Sequence, residues 1–421
     1  MSTVFLRNII YFGQSGDLLL EDSWIREFFP EHGSGTADSE VPGDGFLVVP
    51  SLIDGHVHFR EPGQEYKEDI SSGLYTAAGG GFGHVLCMAN TNPINDTAPV
   101  TRFMLQRAKE AFPGGPFLYP VGALTKGLKG AELAPMAELA DAGCLAFSND
   151  GLPVVDASIL RHGLEYASDL GCRVIDHCQD PALSGEGCVN EGALSALLGL
   201  PGDPVLSESV QVARDILLAQ YLDIPVHLAH ISCRQSVELI AWAKEKSIPV
   251  TAETCPHYLF LTEEDVRAYN TYAKVNPPLR TSDDVLALRQ AVRTGVIDCI
   301  VTDHAPHAEL EKDQPFSSAL NGISGLDTCF SLLYSLLPDT LSFSDLLRLC
   351  LKKPAEIYSI KASMLNPGES ADFFLFDPGA KWKVDRESML SRGKNTPFLN
   401  TELTGRIVAH YIRGRPVFSR N

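Results

Sequence analysis

The sequence lacks any uninterrupted apolar run that approaches the roughly 18 residues of a membrane-spanning helix. Its opening stretch, MSTVFLRNIIYFGQSGD, also lacks the basic segment and the long apolar segment of a secretory signal peptide. Low-complexity tracts are absent as well. From these absences we expect a protein without a membrane anchor that works in the cytoplasm.

Positive charge is scarce. The chain has 34 Lys and Arg residues against 53 Asp and Glu residues, which gives a net charge of −19. Such a balance argues against binding to nucleic acid or to an anionic membrane. We therefore expect a small-molecule substrate, and an anionic one would have to be attracted by a local cluster of positive side chains.

Paired cysteine motifs are missing too, although the chain has 10 cysteines. None forms a CxxC pair, and several lie inside apolar runs such as HVLCMAN, GCLAFSN and IDCIVTD. In a chain of this length the pattern favours buried, reduced thiols over a disulfide framework.

A repeated alternation of strand and helix fills most of the 421 residues. Helix-like spacing of apolar residues occurs between short β-branched runs, for example at 156–170, 207–222 and 236–246. Eight such units predict an α/β fold of the (β/α)8 TIM-barrel type, because an open doubly wound sheet would not need eight. The predicted strands are 46–58, 84–91, 117–124, 144–150, 172–178, 225–232, 249–257 and 297–304.

The two chain ends have a different pattern. Residues 1–45 and 362–421 contain short strand candidates separated by Gly, Pro and Asp, and only 22–29 resembles a helix. Because chain ends usually lie close together, we expect these segments to pair into one small composite β domain. The barrel domain would then span 46–361.

Metal-competent side chains stand at the carboxyl ends of the predicted strands, where barrels of this type hold their active sites. In a strand, alternate side chains share a face, so His56, His58 and Arg60 project the same way. A bound cation would explain why two imidazoles crowd there, since zinc prefers such nitrogen and oxygen ligands. The other candidates at this rim are Asn92, Asp150, His177, His230, Asn276, Asp303 and His307.

Each candidate also has an ordinary structural explanation. Asp150 precedes a glycine and could be a turn residue, and Asp303 could cap a helix. His257 is the nearest rival ligand, whereas His227 has the opposite parity to His230 and is expected to be a wall or core residue. The convergence of several strand ends on one rim favours the metal site over these separate explanations.

Seven short motifs carry a resemblance to a known family. Together they resemble the long-chain bacterial dihydroorotases of the amidohydrolase superfamily, over about residues 46 to 330. The flanking β segments fit the composite small domain of that family. The motifs are GHVHFREPG, MANTNP, FSNDG, HLAHIS, ETCPHYL, KVNPPLR and TDHAPH.

The resemblance implies two zinc ions per chain. It places His56, His58 and Asp303 on one ion, and His177 and His230 on the second. Asp150 would bridge the two ions, where many superfamily members use a carboxylated lysine that the motif CLAFSNDG does not contain.

The resemblance also implies a reaction: the reversible, zinc-dependent cyclisation of N-carbamoyl-L-aspartate to dihydroorotate in pyrimidine synthesis. Asp303 would act first as base and then as acid. The long polar segment 307–325 after the last strand is a candidate lid. Residues implied in substrate binding are His58, Arg60, Asn92, Asn276, His307, Asn321 and Gly322.

Two other functions stay open at this point. One is a related cyclic-amide hydrolase, such as a hydantoinase or allantoinase, whose substrates lack the carboxylate that Arg60 and Asn92 would recognise. The other is an inactive scaffold for aspartate carbamoyltransferase, although such chains typically lose metal ligands. The resemblance further implies a homo-oligomer such as a dimer, and it leaves open an association with aspartate carbamoyltransferase.

Overall fold

The computed structural model describes residues 2–30, 33, 36–336 and 339–420. The predicted terminal segment 1–45 therefore includes positions that lie outside the described residues. Within the described residues the strands are, in chain order, β1 (Thr3–Tyr11), β2 (Gln14–Glu21), β3 (Trp24–Pro30), β4 (Ser39–Pro42), β5 (Leu47–Pro50), β6 (Leu52–Val57), β7 (Phe82–Cys87), β8 (Phe117–Pro120), β9 (Gly122–Ala123), β10 (Ala146–Ser148), β11 (Arg173–Asp176), β12 (Val189–Asn190), β13 (Gly202–Asp203), β14 (Val226–Leu228), β15 (Val250–Thr254), β16 (Cys299–Ile300), β17 (Phe373–Lys383), β18 (Glu402–Ile412) and β19 (Arg415–Ser419).

Helices follow most of the central strands. Short non-α turns occur at Lys126–Leu128, Glu263–Tyr269, Thr271–Ala273 and Arg348–Lys352. The α-helices are α1 (Ile70–Gly79), α2 (Ala98–Ala111), α3 (Met136–Ala142), α4 (Ala157–Asp169), α5 (Pro181–Ser184), α6 (Ala193–Leu198), α7 (Val205–Leu222), α8 (Arg234–Glu245), α9 (Pro256–Phe260), α10 (Ser282–Thr294), α11 (Glu309–Lys312), α12 (Cys329–Ser335), α13 (Phe343–Leu347) and α14 (Lys353–Tyr358).

Both chain ends contribute to one sheet, with the strand order β19-β18-β17-β5-β1-β2-β3 and with β4 paired to β1. One face of this sheet buries its own apolar cluster, which includes Leu6, Ile9, Leu18 and Phe373. The alternation of buried and exposed residues along β18 is typical of a strand with one packed face. A β unit built from both termini is therefore present beside the central α/β region.

The predicted strand 46–58 is wrong as a single strand. It is divided between two sheets, because Ser51 N–H donates to Asp372 O (3.0 Å) while the next residue, Leu52, donates to Gly81 O (2.9 Å). β5 thus belongs to the terminal sheet and β6 to the central region. Both strands are buried and each begins with apolar residues, so hydrophobicity alone does not mark the change of sheet.

The helix candidate at 22–29 is also wrong. This stretch enters β3, which pairs antiparallel with β2 in the register Glu21↔Trp24 and Leu18↔Phe28. Asp22 begins the tight connection with a positive φ of 53°. Cross-strand pairing therefore outweighs the local helical spacing of the apolar residues.

The central strands are parallel, which confirms the predicted α/β fold with parallel sheets. One group has the order β6-β7-β8 and the other has the order β16-β15-β14-β11-β10-β9. Only Val121 separates β8 from β9. On the other side, Val57 forms a parallel bridge with His304, and His58 N–H donates to His304 O (2.8 Å).

The central helices begin and end close to their predicted bounds, and a capping residue marks the start of one of them. Asp156, predicted as the first residue of a helix, is instead the N-cap of α4, and its carboxylate accepts from Ser158 N and Ile159 N. The predicted helix at 207–222 is α7, and the one at 236–246 is α8. These helices position the loops that follow the parallel strands.

None of the helices in the described residues is long and apolar enough to cross a membrane. The 10 cysteines are unpaired thiols, and eight of them are buried.

Candidate active site

A cavity of about 210 Å³ opens where the parallel strands end. Its wall contains side chains that follow β6, β10, β11, β14 and β16 along the chain. The lining residues are His58, Arg60, Asn90, Asp150, Gly151, His177, His230, Val275, Asn276, Asp303, Ala305, His307, Leu320, Asn321 and Gly322.

Asp150 lies at the centre of four imidazoles. Its carboxylate is buried, and both of its oxygens face ring nitrogens. This arrangement allows one carboxylate to serve two neighbouring cations at once. The distances from the Asp150 carboxylate are 3.3 Å to His56 Nε2, 3.5 Å to His58 Nε2, 3.4 Å to His177 Nδ1 and 3.4 Å to His230 Nε2.

Asp303 faces the same nitrogen of His56 and of His58 as Asp150 does. Its Oδ1 is 3.2 Å from His58 Nε2 and 3.7 Å from His56 Nε2. Burial by itself raises the pKa of Asp303, but the adjoining imidazoles of His58 and His56 lower this pKa below its ordinary value. The carboxylate is therefore ionised at neutral pH and can accept a proton.

The β6 histidines turn the same ring nitrogen toward these carboxylates. His56 Nδ1 lies 2.8 Å from Glu253 Oε1, and His58 Nδ1 lies 2.9 Å from Asn90 Oδ1. Since both oxygens act as acceptors, each Nδ1 carries the hydrogen. Each Nε2 then has a free lone pair directed at the centre of the site.

The donors present fit a divalent metal of the zinc type. Buried ring nitrogens normally have hydrogen-bond partners, yet His56 Nε2, which faces Asp150, has none among the described residues. Two groups bring their ligand atoms within 4.8 Å of one another: His56, Asp150 and His230, and His56, His58 and Asp303. Neutral imidazole and carboxylate are ordinary zinc ligands.

Two further clusters have metal-ligand chemistry. His257, the rival ligand, approaches Asp303 together with Cys255, but it does not line the cavity. The other cluster joins Asp176, Cys178 and Asp215 behind the cavity wall. Arg214 neutralises it by donating to Asp176 (2.9 Å) and Asp215 (2.7 Å), so it is an ion-paired structural cluster.

Arg60 supplies positive charge to the cavity wall. The two nearby glutamates have other partners than Arg60. Glu61 pairs with Arg107 (2.9 Å), and Glu65 accepts a hydrogen bond from Gly63 N–H (2.7 Å). Arg60 Nε donates to Pro306 O (3.2 Å). The guanidinium is thus held at the cavity with its remaining donors available for an anion.

His307 lies beside Arg60 and is neutral. Burial lowers the pKa of His307 to about 3, and the positive charges of Arg60 and Lys312 add to the effect. Its Nε2 donates to Asn321 O (2.8 Å). Gly322 follows closely, with φ at +140°, and a Cβ there would lie 2.8 Å from Ala305 O, so only glycine fits at this point.

Asn276 faces the cavity from the segment after β15. It exchanges two hydrogen bonds with Gln179, each of 3.0 Å. Gln179 also lies 3.3 Å from His177 Nε2. The pair connects the predicted amide-binding residue to a predicted metal ligand.

Two predicted site residues, His56 and Asn92, do not line the cavity; His56 lies beneath it and faces Asp150, whereas Asn92 takes no part in this cluster. Asn90, two residues earlier, takes a place there and donates to Asp150 Oδ2 (3.4 Å) as well as accepting from His58. Sequence reasoning missed Asn90 and also Glu253. A signal existed for Glu253, since a buried strand rarely contains a carboxylate unless that carboxylate is paired.

Backbone strain accompanies the site. Arg60, His230 and Asp303 have φ values of 61°, 32° and 45°. Non-glycine residues in this region cost about 1–3 kcal/mol each and cluster at functional sites. The strain is consistent with side chains held in place for chemistry.

The chain is similar in sequence to known proteins over nearly its whole length. A family model described as dihydro-orotase-like matches residues 45–236. A dihydroorotase from Syntrophus aciditrophicus (strain SB) is 45% identical over 407 residues, which cover 96% of this chain and 95% of that protein. A dihydroorotase from Geobacter metallireducens is 44% identical over 405 residues, with the same coverage.

Solved structures show a similar fold. The L-hydantoinase (dihydropyrimidinase) from Arthrobacter aurescens has a TM-score of 0.86 and 22% identity, and covers 100% of this chain and 97% of its own. The dihydropyrimidinase from Brevibacillus agri NCHU1002 has a TM-score of 0.80 and 19% identity, with coverage of 99% and 95%. At these identities the likeness concerns the fold alone.

Proposed function

The chain belongs to the dihydroorotase family, as its motifs predict, and on that premise we propose that it interconverts N-carbamoyl-L-aspartate and (S)-dihydroorotate plus water, a step of pyrimidine synthesis. The observation that carries the proposal is the joint placement of a carboxylate surrounded by imidazoles and an available guanidinium in one cavity. The first group suits hydrolysis of a cyclic amide, and the second suits a substrate with a carboxylate.

The proposal includes a closed (β/α)8 barrel as the catalytic domain over 46–361. The continuity of β8 and β9 through Val121 and the bridge between Val57 and His304 support closure on both sides. The small composite domain would comprise 1–45 and 362–421. β5 lies within the proposed barrel range 46–361, but it pairs with the sheet that the chain ends form.

Two zinc ions are proposed as cofactors. His56, His58 and Asp303 would hold one, and His177 and His230 the other, with Asp150 bridging them. Asp150 supports this role because four imidazoles approach its two oxygens. When bound, such ions polarise an amide carbonyl and lower the pKa of the attacking water.

Asp303 is proposed as the proton shuttle. Its lowered pKa keeps it ionised, so it can take a proton from the attacking water. It would then transfer that proton to the leaving ring nitrogen, as acid–base catalysis requires when the same group serves both halves of the reaction.

Substrate recognition is proposed to divide between two sides of the cavity. Arg60 and the neutral His307 would hold the substrate carboxylate. Asn92, which does not line the cavity, would be a third residue that binds this carboxylate. Asn276 and the backbone at Asn321 and Gly322 would contact the ring amide, and His58 would contact both metal and substrate. This division would orient the scissile bond toward Asp303.

A related hydantoinase or allantoinase activity is the second candidate, because the fold matches hydantoinases closely. Arg60 discriminates between the two, since a hydantoin ring offers no carboxylate at that place. An inactive scaffold fits less well, because all six proposed metal ligands are present.

A steady-state assay on purified, metal-analysed protein tests the proposal. We expect turnover of dihydroorotate and of N-carbamoyl-L-aspartate, with about two zinc ions per chain. Hydantoin, allantoin and 5,6-dihydrouracil serve as controls. Preferential turnover of a control would favour the related hydrolase, and no turnover of any substrate would favour the scaffold.

A homo-oligomer such as a dimer is also proposed. Its support is one face of α7, which exposes Leu206, Val210, Leu217 and Tyr221 without a charge among them. Sedimentation analysis tests this.

An association with aspartate carbamoyltransferase stays a prediction, which co-sedimentation of the two purified proteins would check.

A further inference from the structure

A continuous row of side chains lies beneath the proposed metal ligands. His56 Nδ1 is 2.8 Å from Glu253 Oε1, and the other oxygen, Oε2, is 2.9 Å from His227 Nε2. His227 Nδ1 is in turn 2.7 Å from Thr251 Oγ1. The row crosses β6, β15 and β14, and it does not reach the cavity.

The carboxylate at the middle of this row has no access to water. Glu253, His56 and His227 are each 0% exposed. A buried carboxylate is costly unless hydrogen bonds satisfy both of its oxygens. Here each oxygen has one imidazole partner, so the position of the carboxylate is set from two sides.

If both imidazoles of this row are neutral, the hydrogen bonds determine which ring nitrogen of each histidine carries the hydrogen. An ionised carboxylate only accepts, so His56 donates through Nδ1 and His227 donates through Nε2. His227 Nδ1 then accepts from the Thr251 hydroxyl. As a consequence His56 Nε2 is unprotonated, and this is the buried nitrogen that faces Asp150 at 3.3 Å without a hydrogen-bond partner.

We propose that Glu253 is a positioning residue for the metal centre, and that His227 anchors it. Glu253 would hold the His56 ring in the tautomer that ligates through Nε2 and would make that nitrogen a stronger donor. His227 would keep the second oxygen of Glu253 occupied, so that the carboxylate stays directed at His56. This inference rests on the metal centre of the proposed function.

Glu253→Gln tests the charge without removing the side chain. Its amide oxygen can still accept from His56, while its amide nitrogen donates to a His227 ring that has moved its hydrogen to Nδ1. We expect Zn²⁺ affinity, measured by competition with a chromophoric chelator, to fall about 10–100-fold. The readout is metal binding, so it does not depend on turnover.

Variants of His227 are a second test of the positioning role, and they remain informative if Glu253→Gln does not fold. In His227→Gln the new amide nitrogen can replace Nε2 as donor, so we expect Zn²⁺ affinity within about threefold of wild type. In His227→Leu the donor is lost, and the affinity should fall by about 10-fold. Rescue by the conservative change separates positioning from the general loss of a buried residue.

Asp298→Asn is the matched control. Asp298 is another buried carboxylate bound to β15, where it accepts from Ala252 N–H (2.9 Å), but its other partner is Lys244 rather than an imidazole. We expect this variant to lose stability and keep its Zn²⁺ affinity. An equal fall in the control, or an unchanged affinity in either Glu253→Gln or His227→Leu, would overturn the inference.

The outcome is separable from that of the proposed function. If wild type binds Zn²⁺ but does not turn over dihydroorotate, the proposed function fails, and the comparison of metal affinities still stands. If wild type is active and Glu253→Gln binds Zn²⁺ as wild type does, only the positioning role fails.

Discussion

Asp303 combines a buried position with close contact to His58 Nε2 (3.2 Å), and it is the residue proposed to move the proton. Asp303→Asn keeps the size and one ligand oxygen but removes the proton acceptor. We expect kcat for dihydroorotate to fall by about 10²–10⁴-fold, the usual contribution of acid–base groups. Bound zinc, measured on the same sample, should be retained at least in part, and a rate within a few-fold of wild type would dismiss the shuttle.

Arg60 is the residue that we expect to set substrate choice. Arg60→Lys replaces a planar fork by a point charge, so one of two charge-assisted hydrogen bonds to the substrate carboxylate is lost. A charged hydrogen bond is worth roughly 1.5–3 kcal/mol, so kcat/KM for dihydroorotate should fall at least ~10-fold. The measurement compares dihydroorotate with 5,6-dihydrouracil, which lacks the carboxylate and should be nearly indifferent to the change.

Arg107→Lys is the control for Arg60, because Arg107 is a nearby cation that pairs with Glu61 and Glu110 away from the cavity. It should leave both substrates unaffected. If Arg60→Lys weakens both substrates equally, Arg60 maintains the fold instead of recognising the substrate.

At the scale of elements, the segment that contains α11 and ends at Gly322 is attached to the cavity by two buried lysines. Lys312 Nζ donates to Leu320 O (2.7 Å) and Lys274 O (3.2 Å). Lys274 Nζ donates to Ala319 O (2.7 Å). The predicted lid is therefore packed onto the segment that precedes Asn276, with its backbone carbonyls bound to ammonium groups.

Lys312 should make the stability of the protein depend on pH. Burial lowers the pKa of Lys312 to about 7, and the charge of Lys274 adds to the effect. The unfolded chain keeps the ordinary value near 10.4, so between about pH 7 and 10 it binds more protons than the folded protein. The contribution of Lys312 to the free energy of unfolding therefore rises with pH in this window.

Urea unfolding of wild type and Lys312→Met at pH 7 and pH 9 checks this. Methionine has a similar length and does not titrate. We expect the difference in free energy of unfolding, wild type minus variant, to increase by up to about 1.4 kcal/mol per pH unit. A difference that stays constant between the two pH values would contradict the lowered pKa.

At the scale of the whole molecule, the net charge of −19 contrasts with the cations around the cavity. Arg60, Lys67 and Lys312 all lie close enough to His307 to lower its pKa. An anionic substrate would thus meet a local positive field on a protein that repels anions elsewhere.

Metal binding should stabilise the entire fold, because the proposed ligands come from five different strands and their loops. A ligand that binds only the folded state adds about 2.7 kcal/mol per site at a hundredfold excess over Kd. We expect a chelator to lower the Tm of the zinc-loaded protein and added Zn²⁺ to restore it. Asp150→Ala should show a smaller shift, and an equal shift in both proteins would argue against the bridging role.

The sequence by itself determined the family, the parallel α/β fold and most of the polar side chains that line the cavity. Strand periodicity placed His56 and His58 on one face, and the position of Asp150, His177, His230 and Asp303 after strands placed them at one rim. These features depend on local spacing and on the rule that parallel strands end at the same edge. Arg60 lies beyond the end of β6 with φ at 61°, so the turn that follows the strand decides where it points. Helix bounds were also close, because the spacing of apolar residues that defines a helix is local, and Asp156 in addition caps α4 within one turn.

Only the tertiary structure decided what lies behind the site. The division of 46–58 between two sheets depends on which neighbours pair with Ser51 and Leu52, and apolar residues lie on both sides of this point. Likewise the pairing of Glu253 with His56 joins residues 197 positions apart. Long-range partners are chosen by the closure of the whole core, so a local pattern cannot specify them, whereas it can specify which residues point toward a shared rim.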